Sequence, residues 1–204
     1  MLFDDTYKTI EQSAEGIFKD KGSKFIAFAY PILSEAEVKP ILTVLRSEHT
    51  KANHFCYAYR LSPDRNVYRV NDDGEPSGTA GRPILNTLLS ADVTNILIVV
   101  VRYFGGTLLG VPGLINAYKS AAAESLQNAQ ILEKTVNDRY EIRFEYLVMN
   151  DVMRLVKDEQ LTIIEQQFDN DCLLIFEVRK TQLNKVLQKL DKQDGIQVKY
   201  LGTT

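Results

Sequence analysis

Six consecutive aliphatic residues, Ile96–Val101, narrow the possible folds more than any other feature of the chain. The run is far shorter than the roughly 20 residues that span a bilayer. It is apolar at every position, the pattern of a central strand buried on both faces rather than of a half-exposed one. The elements expected around it are strand-like segments near Tyr7–Ile10, Gly16–Lys19 and Phe25–Ile32, then Phe55–Leu61 and Val67–Val70. Ser34-Glu35-Ala36-Glu37 matches a capping box for a helix running to about His49, with Ile41, Leu42 and Leu45 inward. Pro40 lies past the first turn of a helix begun there, so a kink or a later start is expected. Arg82-Pro83 opens a second helix with proline in its first turn. Leu114–Ala129 reads as a long Ala-rich third helix. Strands followed by strands alternating with helices predict an α+β sandwich with helices on one sheet face.

The last third is plainer. Seven of the 11 glycines fall between Gly74 and Gly113, and no proline follows Pro112. From about Glu133 the pattern reads strand (Tyr140–Tyr146), helix (Val148–Gln160), strand (Leu161–Phe168), turn (Asp169-Asn170-Asp171), strand (Cys172–Val178), helix, and strand (Ile196–Leu201). Asn150 and Asp151 are expected caps for the first of these helices and Thr181 for the second. The order β-α-β-β-α-β is the ferredoxin-like arrangement. Two domains are therefore expected, residues 1–132 and 133–204.

Composition bounds the function only coarsely. At 204 residues the chain has room for one large domain or two small ones. Its net charge of −3 excludes a generally polybasic nucleic-acid binder while leaving room for a local basic patch. The start Met1-Leu2-Phe3-Asp4-Asp5 is acidic where a signal peptide is basic. Two cysteines far apart, Cys56 and Cys172, fit a reducing compartment. A cytoplasmic protein with no membrane partner is expected.

Two glycine-rich loops concentrate the chemistry. Residues 71–82, Asn-Asp-Asp-Gly-Glu-Pro-Ser-Gly-Thr-Ala-Gly-Arg, hold three acids and two hydroxyls ahead of a helix N-terminus, whose free N–H groups suit an anion. The plainer reading is a surface loop that caps the helix. Val101-Arg102-Tyr103-Phe104-Gly105-Gly106 leads a buried strand into a glycine turn that can cradle phosphate. Neither the dinucleotide fingerprint nor a P-loop is present. Arg102 either clamps an anion or pairs with Asp72, Asp73 or Glu75. His54 shares a strand face with Cys56, Ala58 and Arg60, as a base, a ligand or a packed residue. Lys19–Phe25 reads as a hairpin turn with local positive charge. No nucleophile elbow occurs, and Cys56 sits in an apolar strand.

Four segments carry a family resemblance: Lys21-Gly22-Ser23-Lys24-Phe25, Ala52 through His54 to Arg60, Asp73–Gly81, and Val101–Gly106 with Leu109-Gly110. Together they resemble the YigZ/IMPACT family. The resemblance implies an N-terminal domain of the ribosomal-protein type found in domain IV of elongation factor G, and a ferredoxin-like C-terminal domain similar to that factor's domain V. Eukaryotic members of the family regulate translation by competing for the activator of the starvation-responsive initiation-factor kinase, a pathway bacteria lack. The expectation is a nucleic-acid- or ribosome-binding protein that modulates translation, with ribosome or structured RNA as partner. Its nucleic-acid or anion-binding residues are Lys21, Lys24, His54, Arg60, Asp73, Glu75, Ser77, Thr79, Arg82, Arg102, Tyr103, Gly105 and Gly106. The alternative is an enzyme acting on a small anionic or nucleotide substrate at the same loops, with Asp73 or Glu75 as acid/base. No cofactor, metal site or assigned catalytic residue is expected. A third reading is a protein–protein adaptor that uses its sheet face.

Overall fold

The computed structural model describes residues 5–169 and 171–204. Met1–Asp4, most of the acidic N-terminal stretch, and Asn170 of the expected 169–171 turn lie outside the described residues. By its contacts the chain divides into Tyr7–Lys134 and Thr135–Thr204, the latter joined by the residues up to Thr6.

The first unit runs β1 (Thr6–Ile10), β2 (Ala14–Asp20), β3 (Ser23–Pro31), α1 (Val38–Glu48), β4 (His54–Leu61), β5 (Val67–Asn71), α2 (Gly81–Ala91), β6 (Ile96–Tyr103), α3 (Gly110–Gln127) and β7 (Ile131–Thr135). β1 and β7 form a two-stranded sheet. The other five strands form an antiparallel sheet in the order β2-β3-β6-β4-β5, with β6 in the middle.

Ile96–Val101 are fully buried in β6. Ile96, Ile98 and Val100 pack with Ile84 and Leu88 of α2 and with Ala117 and Ala121 of α3. Leu97, Val99 and Val101 pack on the other face with Val38 and Leu45 of α1 and with the rings of Phe28, Phe55 and Tyr57. Helices thus cover both faces of the sheet, not one as expected. The reason lies in β6 itself: burying each aliphatic side chain contributes about 1.5–3 kcal/mol, so neither face is left to water.

Local sequence explains where these helices begin. Ser34 and Glu37 form the expected capping box on a single 3-10 turn, Glu35–Glu37. α1 starts after it at Val38, which places Pro40 in the first turn, where its missing N–H costs no helical bond. α3 begins at Gly110 rather than Leu114, so Pro112 and Gly113 belong to its first turn and the glycine-rich loop ends at Leu109.

The second unit contains β8 (Asn137–Glu145), α4 (Met149–Asp158), β9 (Thr162–Phe168), β10 (Asp171–Arg179), α5 (Leu183–Leu190) and β11 (Gln197–Thr203). The antiparallel order β11-β8-β10-β9 is the ferredoxin-like one. Alternation in β8 turns Tyr140, Ile142 and Phe144 onto Val152, Leu155 and Val156 of α4 and Val186 and Leu190 of α5. The expected caps are corrected. Val148 precedes α4, so Asn150 and Asp151 fall inside its first turn. Gln182, not Thr181, precedes α5.

Thr181 is drawn elsewhere. Its hydroxyl donates to the buried Asp5 carboxylate at 2.7 Å, and Arg179 donates twice to the same group at 2.7 and 2.8 Å. These bonds hold the Asp5 carboxyl well below the usual carboxylate range. A lowered acid stabilises the fold above its unfolded-state value and loses that contribution on acidification. Urea unfolding followed across pH should therefore show stability falling below about pH 4. In Asp5→Asn that part of the acid dependence should be absent, and the midpoint at neutral pH should be lower.

Candidate functional site

Register gathers the motifs at one end of the five-stranded sheet. Phe25 and His54 both pair with Arg102 across β6, and Lys24 pairs with Tyr103. Asn71 closes β5 opposite Tyr57 near the start of β4. The β2–β3 hairpin turns at Lys21 (φ 44°) and Gly22 (φ 80°), the positive-φ pair of a tight two-residue loop. The Gly105 backbone lies directly on that turn. A Cβ on Gly105 would stand 2.0 Å from the Gly22 carbonyl carbon, so only glycine fits. The Gly105 N–H donates to Ser23 Oγ at 3.1 Å and locks the contact.

The three acids of the 71–82 loop all turn inward. Asp72 accepts from the N–H groups of Gly78, Ala80 and Gly81 at 2.9, 3.1 and 2.8 Å and so caps α2. Asp73 accepts from the Phe55 N–H at 2.7 Å and from Arg46 Nη2 at 2.9 Å. Glu75 Oε1 accepts from Arg102 Nη1 at 2.5 Å and from the Tyr118 hydroxyl at 2.7 Å, with all three residues buried. The Cys56 thiol donates to the Tyr118 oxygen at 3.3 Å. Burial pushes both the Cys56 thiol and the Tyr118 hydroxyl up, so neither ionises near neutral pH. Arg102 lies over the Phe25 ring at 5.4 Å and the Phe104 ring at 5.6 Å.

His54 stands at the rim of this cluster, with a quarter of its side chain (26%) exposed. Its Nδ1 is 2.8 Å from the Asp73 carbonyl, which can only accept, so Nδ1 carries the proton there. Nε2 faces Glu75 at 4.0 Å. The Thr79 hydroxyl is buried and donates to the Pro76 carbonyl at 2.6 Å, whereas Ser77 and Arg82 are exposed.

The sequence expectations sort accordingly. His54, Glu75 and Arg102 come together, and Lys21, Lys24, Gly105 and Gly106 share their end of the sheet. The anion seat at the α2 N-terminus is filled by Asp72, so it is not free for a ligand. Arg102 is the partner of Glu75, not an open clamp. Asp73 is spent on Arg46 and the Phe55 amide. Arg60 sits at the opposite end of β4, opposite Ile96, and bonds Asp92 and the Val93 carbonyl at 3.3 and 3.2 Å. It lies six residue steps along β4 from His54, about 20 Å, so it joins no patch with Arg102. Tyr103 projects to the α1 face, where its hydroxyl meets His49 Nδ1 at 2.7 Å.

Tyr118 was missed by sequence reasoning. Its signal is a single large polar ring among Leu114, Ala117, Ala121 and Ala122 on the buried face of α3. No group of three or more metal-ligating side chains occurs among the described residues. None of their helices is long and apolar enough to cross a membrane. Both cysteines are free and buried. In the second unit, Arg139 pairs with Glu177 and Arg143 with Glu141 on the open sheet face, while Tyr140, Phe144 and Phe176 turn into the core. Among the described residues, the rings of β8 and β10 thus lie on the core side and not on that face, where a base could stack on them.

Residues 21–126, which contain this entire sheet end, match the Impact N-terminal domain. The chain belongs to the IMPACT family. It is 33% identical over 156 residues to the IMPACT family member YigZ of Escherichia coli, covering 76% of each chain. It is 29% identical over 166 residues to YvyE of Bacillus subtilis, covering 81% of this chain and 76% of that one. A crystal structure of a hypothetical protein superposes over 97% of this chain and 98% of its own, at 27% identity and a TM-score of 0.72. Similarity to these IMPACT relatives thus runs well past the N-terminal unit.

Glu75 is the keystone of the IMPACT-type loop. Glu75→Ala leaves the buried Arg102 charge without a partner and should cost about 3–5 kcal/mol in urea unfolding. Glu75→Gln keeps an acceptor for Arg102 and Tyr118 and should lose clearly less.

Proposed function

We propose that this chain is a nucleic-acid- or ribosome-binding protein linked to translation, and that it binds through the hairpin and glycine-loop end of its N-terminal unit. The observation that supports this reading is electrostatic. Glu75 is ion-paired with the buried Arg102, Asp73 with the exposed Arg46, and Asp72 accepts from three backbone N–H groups at the start of α2. Beside them Lys21 and Arg82 face solvent and Lys24 is half-buried, with the half-buried Asp20 in the same hairpin. A chain of net charge −3 can therefore present a local basic rim suited to phosphate. Phe104, 46% exposed beside Gly105, adds a ring at the same rim for stacking or apolar contact. Family membership supports the translation-linked part, through the role the resemblance assigns to eukaryotic members.

Co-sedimentation with bacterial ribosomes over a salt series tests the proposal. Three phosphate contacts predict a log–log salt slope of about −2 to −3. Changing Lys21, Lys24 and Arg82 together to alanine should flatten the slope and release the protein at low salt, with no change in stability. Folded wild-type protein that stays in the supernatant at low salt overturns the reading.

One observation favours the second reading, an enzyme acting on a small anionic substrate: the partly exposed His54 with Nε2 turned toward Glu75. A thermal-shift screen of nucleotides and sugar phosphates would reveal it as a ligand-dependent rise in Tm that His54→Ala abolishes. No rise with any of these ligands removes this reading.

A further inference from the structure

A second surface lies away from this rim, at the outer edge of the same sheet. β5 is an edge strand, so one row of its backbone N–H and C=O groups has no partner strand. Natural edges are blunted by proline, charged side chains or bulges. β5 has no proline or bulge, its one charge is Arg69, and it exposes three apolar side chains, Val67 at 41%, Tyr68 at 56% and Val70 at 36%.

The two faces of this edge differ in chemistry. Arg69 pairs with Tyr59 across the ladder and so shares its face, the one covered by α1. A cavity of about 270 Å³ opens there between α1 and β4–β5, lined by Lys39, Leu42, Tyr57, Tyr59 and Arg69 together with Glu35. Glu35 faces the Tyr59 hydroxyl, and burial with that carboxylate pushes the hydroxyl up to about 12. Among the described residues neither Lys39 nor Arg69 has a carboxylate within ion-pair distance, and the lining holds these two cations against the single carboxylate of Glu35, a net positive charge. The opposite face of the edge is apolar, with Tyr68 and Val70 side by side on alternate positions.

We propose that β5 is a docking edge for an extended segment of another protein in which acidic and apolar residues alternate. The segment adds as a sixth strand. Its acids fall on the α1 face against Arg69 and Lys39, and its apolar residues cover Tyr68 and Val70 on the other. Main-chain bonds supply affinity, and the alternating side chains supply selectivity. A second copy of this chain fits less well, because pairing β5 with itself about its middle residue sets Arg69 against Arg69. This inference does not rest on the basic rim proposed above.

The test uses the full chain and two labelled peptides, one alternating glutamate and valine and one alternating lysine and valine. Fluorescence anisotropy should show the glutamate–valine peptide binding at least roughly tenfold tighter. The exposed variant Arg69→Glu should weaken it by a similar factor and improve binding of the lysine–valine peptide. Amide NMR shifts on titration should concentrate at residues 67–71. Several outcomes overturn the proposal: no binding at millimolar peptide, equal affinity for both peptides, insensitivity to Arg69→Glu, or shifts confined to other strands. Sedimentation showing a wild-type dimer that Tyr68→Glu dissolves would assign the edge to a second copy instead.

Discussion

Arg102 ends an otherwise aliphatic strand and is buried to 5% exposure, so its charge must be matched inside the protein. An unpartnered guanidinium there would carry a desolvation cost of several kcal/mol. Glu75 provides the match, and much of the N-terminal unit follows from that requirement. Glu75 reaches β6 only if the 71–82 loop folds back across the sheet end. Tyr118 on α3 supplies a second donor to the same oxygen, which ties the helix to the loop. Cys56 on β4 donates in turn to Tyr118, so one carboxylate links β6, β4, α3 and the loop between β5 and α2.

The same loop settles how its other acids are used. A run of two aspartates and a glutamate beside glycines invites a catalytic or metal-binding reading. In the folded chain each carboxylate has a separate structural partner: a helix N-terminus, a strand amide with Arg46, and Arg102. Two of these carboxylates are offset by arginines and the third by backbone N–H groups, so none of the three is left without a partner in the protein. Arg60 shows the same economy at the far end of the sheet, where Asp92 and a backbone carbonyl hold it. Chemistry-bearing residue types in this sequence thus separate into those consumed by burial and those left to solvent.

The second unit presents the opposite surface. Its open sheet face pairs charges of both signs, and Tyr140, Phe144 and Phe176 turn into the core while Tyr146, Tyr200 and Phe168 are exposed elsewhere on the unit. The N-terminal unit instead places Lys21 and Arg82 at one sheet end and Val67, Tyr68 and Val70 along the β5 edge, all exposed. The family match spans residues 21–126 and so includes both the loop cluster and β5.

Much of this architecture was legible in the residues. Alternation in 140–146 and in 172–178, with helical spacing between and after, dictates the ferredoxin-like unit because each pattern has only one way to bury its apolar face. The Ile96–Val101 run dictates a central strand for the same reason, and Pro40 with the capping box places the start of α1. Tertiary structure decided what depends on long-range pairing. It placed α1 on the second sheet face, set Arg60 at the far end of the strand from Arg102, and recruited Thr181 to Asp5 rather than to a helix cap. It also chose Glu75 among three nearby acids as the partner of Arg102. Local sequence states which groups need a partner, because burial and charge are properties of the residue and its periodicity. Which partner each one finds is fixed only when the register of β3, β4 and β6 brings distant residues to the same sheet end.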